Sequence, residues 1–323
     1  MSTLDLSLCL LNWNTKDLLR GCLRSLLDTQ QGFNGTLEII VADNASEDGS
    51  ADMVRREFPR VNLIQNQRNL LFAAGNNVAA RHASGRYLLF LNSDTLVDCA
   101  ELGKMVAFLD EHPRAGACGP AELDSQGRVQ NSRPPPYHSP WYLLCGLVGL
   151  SWKRFFPPLP ADRAVSVPWI SGACLMVRRS LFEDVGGFDE RFPLYGNDND
   201  LCAVIRRSGH EVWYLPHCSF VHLGGGSSGR VDSAYLRREA AQAQLTLLTK
   251  HYRPLWAALL RFLFVAAAWR RVLTRGLLVL LSWGRSEKRK RRFREALAFL
   301  GAVREARKRP ILPPAAAGSE SNG

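Results

Sequence analysis

No Cys-x-x-Cys pair occurs in the 323 residues, which argues against a zinc site. The eight cysteines (9, 22, 99, 118, 145, 174, 202 and 218) are scattered, several inside apolar runs such as Leu8-Cys9-Leu10 and Ala173-Cys174-Leu175. They read as small core hydrophobes in a reducing compartment. Gly-x-Gly-x-x-Gly is missing after the first apolar segment, where a dinucleotide enzyme would place it, and this disfavours a dehydrogenase. Met1-Ser2-Thr3-Leu4-Asp5 lacks the basic and then apolar stretches of an export signal, so a cytoplasmic location is expected. The apolar runs are either too short to span a bilayer or broken by arginine.

Net charge is small in the body of the chain and concentrated near its end. Residues 250–309 hold 17 Lys/Arg against three acidic residues, whereas residues 1–249 hold 24 against 26, within a total of +11. The length allows an α/β core of about 250 residues with an appendage. Leu255 to Trp269 and Gly276 to Trp283 are strongly apolar but interrupted by Arg261, Arg270, Arg271 and Arg275. Bounded by tryptophans and followed by Arg285-Ser286-Glu287-Lys288-Arg289-Lys290-Arg291-Arg292, they suit helices lying on an anionic membrane surface, at the inner face of the cytoplasmic membrane. The alternative is a pair of helices packed on the body or on a second copy in a homodimer. No nucleic-acid partner is expected, because the basic run follows apolar helices and no recognised reading motif. Residues 310–323 are expected to be a disordered tail.

From the start to about residue 120, apolar strand candidates alternate with helix candidates. The strands are Leu6–Leu11, Leu37–Val41, Val61–Ile64, Tyr87–Leu91 and Ala115–Cys118; the helices are Lys16–Asp28, Ser50–Phe58, Phe72–His82 and Ala100–Glu111. This alternation implies a Rossmann-like, mainly parallel sheet flanked by helices. Residues 131–168, with Arg133-Pro134-Pro135-Pro136 and the apolar run Trp141 to Trp152, read as a hydrophobic lid or acceptor loop, or as a core helix between loops.

Polar residues gather at the predicted strand ends, the edge where open α/β sheets bind ligands. Asn12-Trp13-Asn14 ends the first strand, and Asp43-Asn44 ends the second, where it can read the polar edge of a base. Ser46 or Asp48 is expected to cap the next helix. Asn69 to Asn77 brings further amides and Gly75 to the same edge. Asn92 and Asp94 flank Ser93 just past the fourth strand and offer hard oxygens of the type Mg²⁺ or Mn²⁺ prefers. A plain surface turn explains them equally well. Asp198 and Asp200 either move a proton or simply open a helix through Leu201 to Ser208. His222 is a metal ligand or a strand-end residue. Trp169 and Trp213 are core residues or acceptor platforms, and Asp189 and Glu190 position acceptor hydroxyls or cap their segment.

Across residues 6 to 228 the chain resembles inverting family 2 glycosyltransferases of GT-A fold, especially the bacterial rhamnosyltransferase-like branch. The motifs are Asn12-Trp13-Asn14, Asp43-Asn44-Ala45-Ser46-x-Asp48-Gly49-Ser50, Asn69-x-x-Phe72-Ala73-x-Gly75-Asn76-Asn77, Leu91-Asn92-Ser93-Asp94-Thr95, Ser171-Gly172-Ala173, Gly186-Gly187-Phe188-Asp189-Glu190, Asp198-x-Asp200-Leu201-Cys202 and His222. The resemblance implies a catalytic domain over 1–249, with a nucleotide-sugar half over 1–120 and an acceptor half over 167–230, followed by basic amphipathic helices over 250–309. It makes Asp198 the general base, gives Asp43 the nucleobase, and assigns Asp94 and His222 to a Mg²⁺ or Mn²⁺ on the donor diphosphate. The implied donor set is Asn12, Asn14, Asp43, Asn44, Asn69, Gly75, Asn76, Asn92, Ser93 and Asp94. The acceptor set is Trp169, Gly172, Asp189, Glu190 and Asp200. The implied reaction moves a sugar, by resemblance L-rhamnose from dTDP-rhamnose, to a saccharide or polyprenyl-diphosphate-linked acceptor. A noncatalytic nucleotide-sugar or glycan-binding protein is the alternative. The chain has Leu71 where the family usually has Gly, and Asn197 where it usually has Glu. A positive φ at Leu71 would be strained, and losing a charge beside Asp198 would tend to lower its pKa.

Overall fold

The computed structural model describes residues 4–130, 139–155, 158–224, 232–283 and 285–306. The Arg133-Pro134-Pro135-Pro136 run, Gly225-Gly226 and the expected disordered tail 310–323 lie outside these residues. The chain divides into two compact units, residues 1–134 with 157–231, and residues 135–156 with 232–323.

In the first unit, strands β1 (Leu6–Asn12), β2 (Leu37–Asp43), β3 (Asn62–Gln65) and β4 (Tyr87–Asn92) alternate with helices α1 (Lys16–Asp28), α2 (Ser50–Glu57) and α3 (Leu71–Arg81). They form a parallel block in the order β3-β2-β1-β4. Leu6, Leu8, Cys9 and Leu10 are all fully buried, as expected of a central strand covered on both faces. Helix α1 buries Leu19, Cys22, Leu23 and Leu26, the i, i+3, i+4, i+7 stripe of a helix against a sheet. Helix α2 is introduced by Asp48, which accepts the Ser50 N–H at 3.0 Å and the Lys16 N–H of α1 at 2.8 Å.

Beyond β4 the sheet becomes mixed. Next come β5 (Thr95–Leu96), α4 (Cys99–Glu111) and β6 (Ala115–Leu123); α5 (Pro140–Val148) belongs to the second unit, and β7 (Val165–Ser166), β8 (Cys174–Arg178), α6 (Arg179–Asp184), α7 (Asn197–Arg207) and β9 (Glu211–His222) complete the first. Strand β8 lies between β4 and β6 and runs antiparallel to both, while β6 and β9 are parallel. Strand β9 then pairs antiparallel with β5 and β7. All eight cysteines are buried and unbridged.

The second unit is helical: α5, α8 (Ser233–His251), α9 (Pro254–Leu280) and α10 (Glu287–Ala306). Leu143, Leu248 and Leu260 join α5, α8 and α9. Ala241, Leu245, Ala268, Val272, Leu300 and Val303 join α8, α9 and α10. Of the two readings of the apolar run in 131–168, lid or loop and core helix, the helix is the one found, as α5, with Leu143 and Cys145 buried. Two expectations change here. The units part at 231/232 rather than at 249/250, because α8 packs with α9 and α10. The two apolar tail pieces form one 27-residue helix, α9. Gly276 does not break it; a side chain there would come within 3.1 Å of the Phe293 ring on α10.

Leu71 has φ 63°, so the positive angle expected for a glycine is imposed on a leucine. An L side chain in that region costs about 1–2 kcal/mol. Leu71→Gly is therefore expected to be more stable than Leu71→Ala by about 1 kcal/mol, the reverse of the usual helix order. Urea denaturation of the two variants measures it, and an alanine variant at least as stable as the glycine variant would show that the turn relaxes.

Candidate active site

Strands β1 and β2 end level with one another, with Asn12 opposite Asp43. Asn12 Nδ2 donates to Asp43 Oδ1 at 2.8 Å and to Ser46 Oγ at 3.1 Å, and the Ser46 N–H donates to Asp43 Oδ2 at 2.9 Å. The Asn14 N–H donates to Ser46 Oγ, and Asn14 Oδ1 accepts the Glu47 N–H. The first two loops of the sheet edge are thus stitched into one piece. Asp43 is only 1% exposed and both its oxygens are engaged, so a nucleobase would have to share one of their remaining lone pairs.

A second amide network holds the third loop. Asn44 Nδ2 donates to Asn69 Oδ1 and to the Leu71 carbonyl, both at 3.1 Å, while Asn44 Oδ1 accepts from Asn66 Nδ2 at 2.9 Å. Gly75 is needed for close approach, because a Cβ there would sit 2.4 Å from Leu11 Cδ1. Asn76 is buried and donates to the Phe72 carbonyl. Gly75 and Asn76 therefore support the loop from inside. Thr15 Oγ1 donates to Asn12 Oδ1 at 2.6 Å and lies 2.8 Å from Ser93 Oγ. With the single Thr15 proton committed, Ser93 donates, and the turn Asn92-Ser93-Asp94 is tied to the same edge.

Pairing of β5 with β9 sets Thr95 opposite His222, and the Leu223 N–H donates to the Asp94 carbonyl. His222 Nε2 lies 3.2 Å from Asp94 Oδ1, and its Nδ1 lies 2.6 Å from Glu122 Oε1 on β6. Burial opposes a charged imidazole, but the Asp94 and Glu122 carboxylates outweigh it and push His222 up to about 9. Among the described residues, no group of three or more His, Cys, Asp or Glu side chains is placed to hold a metal. Asp94 fits a cation shared with a ligand, since Mg²⁺-type ions take one or two protein ligands and complete their shell with phosphate oxygens and water, and His222 could join it on giving up its Nε2 proton.

Asp198 sits in the first turn of α7, so the helix-opening reading and the proton-transfer reading describe the same residue. Its Oδ2 accepts the Gly172 N–H at 3.2 Å, and its Oδ1 accepts the Asn199 N–H at 2.8 Å and Asn199 Nδ2 at 3.1 Å. Burial pushes the carboxyl above its ordinary value, against the lowering effect of these bonds. Asn197 itself accepts the Asp198 N–H and donates to the Leu194 carbonyl, holding the turn by amide bonds. One residue after Gly172, the Ala173 carbonyl accepts the Asn92 N–H at 3.0 Å. The turn Ser171-Gly172-Ala173 therefore joins the Asp94 loop to Asp198.

Other expected acceptor residues are engaged locally. Asp189 is paired with Arg191 through Nε and Nη2, at 2.5 Å for the closer, and Glu190 Oε1 accepts from Asn77 Nδ2 at 3.2 Å. Asp200 is buried. Trp169 is nearly buried and, with Ser171, Ile170, Tyr214, Phe220 and Glu122, lines a small, part-open cavity. Trp213 packs against Phe108 and His112. Glu122 and Asn199 were missed by sequence reasoning. The only local signal for Glu122 is a lone carboxylate in an otherwise uncharged strand, Ala115–Leu123.

The family model for glycosyl transferase family 2 matches residues 7–186. An N-acetylglucosaminyl-diphospho-decaprenol L-rhamnosyltransferase of Mycobacterium tuberculosis is 28% identical over 250 residues, covering 70% of this chain and 79% of that protein. The rhamnosyltransferase WbbL of Escherichia coli K12 is 26% identical over 160 residues, covering 47% of this chain and 60% of its own length. In fold, the chain is similar to the mannosyltransferase PcManGT of Pyrobaculum calidifontis, solved with GDP-Man and Mn²⁺ (TM-score 0.59, 18% identity, 94% of this chain and 87% of that one). It is also similar to S. aureus TarS 1-349 with UDP-GlcNAc (TM-score 0.55, 18% identity, 93% and 82%). The fold is GT-A, and the chain belongs to glycosyl transferase family 2, on the branch that holds these rhamnosyltransferases, as a nucleotide-sugar-dependent glycosyltransferase.

Proposed function

We propose that the chain transfers a sugar, with inversion, from a nucleotide diphosphate to a saccharide carried on a polyprenyl diphosphate, for synthesis of a cell-envelope glycan. L-Rhamnose from dTDP-rhamnose is the proposed donor, and the names of the curated relatives support that sugar and a lipid-linked acceptor. The observation that carries the reading is the Ser171-Gly172-Ala173 turn, which bonds to Asn92 on the donor side and to Asp198 on the other. The eight buried, unbridged thiols suit a reducing compartment, so the reaction is proposed for the cytoplasmic side.

Asp198 Oδ accepts the proton of the acceptor hydroxyl while that oxygen attacks the anomeric carbon and the bond to the diphosphate oxygen breaks. The Gly172 and Asn199 N–H donors fix the carboxylate for this transfer, and burial raises its basicity. A divalent cation, Mg²⁺ or Mn²⁺, when bound, neutralises the charge of the diphosphate leaving group. Asp94 and His222 would hold it, with Glu122 fixing the imidazole orientation from the second nitrogen. Asn12, Asn14, Asp43, Asn44 and Asn69 shape the donor loops, and Trp169 with its cavity is the proposed acceptor wall. A noncatalytic binding protein is not favoured, because Asn197 preserves the turn that carries Asp198.

Asp198→Asn is expected to retain donor binding and to lose about 10²–10⁴-fold in transfer, since an amide keeps the shape but accepts no proton. Release of nucleotide diphosphate with acceptor present measures it; near-full activity would move the base elsewhere.

The base must be ionised to act and burial raises its pKa, so kcat should fall with decreasing pH along a limb lying above the ordinary aspartate value of about 3.9. The same limb in the residual activity of Asp198→Asn would assign it to another group.

Asp94→Ala should weaken nucleotide diphosphate binding in the presence of Mn²⁺ by about tenfold or more, and change it little without metal. Calorimetry with and without Mn²⁺ tests this; equal losses in both would make Asp94 a structural residue only.

A further inference from the structure

Helix α9 leaves one face uncovered along its whole length. Leu255, Leu259, Phe262, Trp269, Leu273 and Leu277 are exposed, from 45% at Leu259 and Trp269 to 87% at Leu255, and Leu280 continues the row at 75%. Successive steps of four, three, seven, four, four and three residues keep them within about 80° of the circumference at 3.6 residues per turn. Twenty-seven residues make this stripe about 40 Å long. Isolated exposed leucines need no explanation, but an unbroken row of this length marks an interaction surface.

The arginines that interrupt the apolar sequence do not interrupt the stripe. Arg270 Nε donates to the Gly146 carbonyl of α5 at 3.1 Å, Arg271 lies over the Phe299 ring of α10 at 5.5 Å, and Arg275 Nη1 donates to the Arg292 carbonyl at 2.9 Å. These three guanidiniums are spent on neighbouring helices, and Arg261 lies about 120° around the helix from the middle of the stripe. The opposite face of α9 buries Ala257, Leu260, Ala267, Ala268 and Val272 within the same helical unit. Among the described residues no helix is long and apolar enough to cross a membrane. A helix packed along one face and apolar along the other suits the plane of an interface rather than a span.

Charge identifies the occupant. The stripe ends at the exposed Leu280, Leu281 and Trp283; exposed Arg285 follows, and α10 then opens with exposed Lys288, Arg289, Arg291, Arg292 and Arg294. Only Glu287 and Glu295 oppose them there. Arg289 Nη1 donates to the Leu278 carbonyl, which fastens the start of the basic segment to the end of α9. A second copy of this chain would set two such basic segments near one another. An anionic bilayer satisfies both the apolar row and the charge.

We propose that α9 and the start of α10 form an in-plane docking surface for an anionic lipid bilayer, the α9 stripe entering the acyl boundary and the basic residues meeting the headgroups. The proposal rests on this helical unit and not on the sugar or acceptor assigned above. The test is co-sedimentation of the full chain with vesicles of phosphatidylcholine alone or mixed with phosphatidylglycerol, with analytical ultracentrifugation of the protein alone. Wild type should bind the mixed vesicles at least about tenfold better, in a salt-dependent manner. The double variant L259E/L273E should lose about tenfold or more on both compositions, while K288E/R292E should lose only the preference for anionic lipid. Unchanged thermal melting and nucleotide-sugar turnover on a water-soluble acceptor show that the variants fold, and they report separately on the catalytic reading. Wild type remaining in solution, equal binding to both compositions, or undiminished binding by L259E/L273E would overturn the proposal. A dimer that L259E/L273E dissociates, without vesicle binding by wild type, would assign the stripe to a second copy instead.

Discussion

The antiparallel insertion of β8 between β4 and β6 is the constraint on which the candidate chemistry depends. A purely parallel sheet would place only strand carboxyl ends at the ligand edge, and everything arriving there would come from βα loops. Because β8 runs the other way, its amino end meets the carboxyl end of β4, with Leu91 opposite Cys174. The segment entering β8 is Ser171-Gly172-Ala173, so its backbone groups face the Asn92–Asp94 turn and α7 together. Two hydrogen bonds, Asn92 N–H to the Ala173 carbonyl and Gly172 N–H to Asp198, then fix the proposed base relative to the proposed metal seat. A Cβ on Gly172 would come within 3.2 Å of the Phe72 ring, so the turn has little room for a side chain.

The same edge is built largely from side-chain amides, and the one carboxylate buried among them, Asp43, has both oxygens hydrogen-bonded. Asn44, Asn66 and Asn69 satisfy one another and the loop backbone, and Asn12 satisfies Asp43. That matters because an unsatisfied buried polar group costs about 1–3 kcal/mol and an unpaired buried charge more. Carboxylates appear at Asp94 and Glu122, with His222 between them, and at Asp198, held by N–H donors. A cation on Asp94 would meet a histidine whose other nitrogen is already oriented.

Much of the first half was legible because its signals are local. Strands β1, β2 and β4 are continuous apolar runs, and α1 begins and ends at the residues its periodicity predicts. The Asp198 turn and Asp94 were legible as polar groups beside glycines and a strand end. What was not legible depends on long-range pairing. Glu122 meets His222 across 100 residues, only because β6 and β9 are neighbours with a register shift after Pro120. The internal contacts of Gly75 and Asn76 were hidden for the same reason. Gly75 lies against Leu11, and Asn76 bonds within its own helix. Helix α5 could be read as a loop or as a helix because proline and aromatic residues bound it; Pro140 stands at its first turn and Gly149 closes it at φ 82°.

Backbone conformation shows what the amide networks are holding. Asn14, Ala45 and Leu71 have φ of 54°, 55° and 63°, one in each loop that follows β1, β2 and β3. Each departs from the region favoured by L residues, at a cost of about 1–2 kcal/mol for the alanine and leucine and less for the asparagine. Each is also clamped on both sides. The Asn14 N–H meets Ser46 Oγ while its side chain takes the Glu47 N–H; Ala45 lies between Asp43 and Ser46, which bond to each other; Leu71 donates to Asn69 and accepts from Asn44. At about 1 kcal/mol net per bond, two bonds per loop roughly offset the backbone cost. Strain of this kind persists only where its surroundings over-determine it. The three loops are therefore pre-shaped before any nucleotide arrives, and Leu71 can stand where glycine is usual because Asn44 and Asn69 hold the turn from both ends.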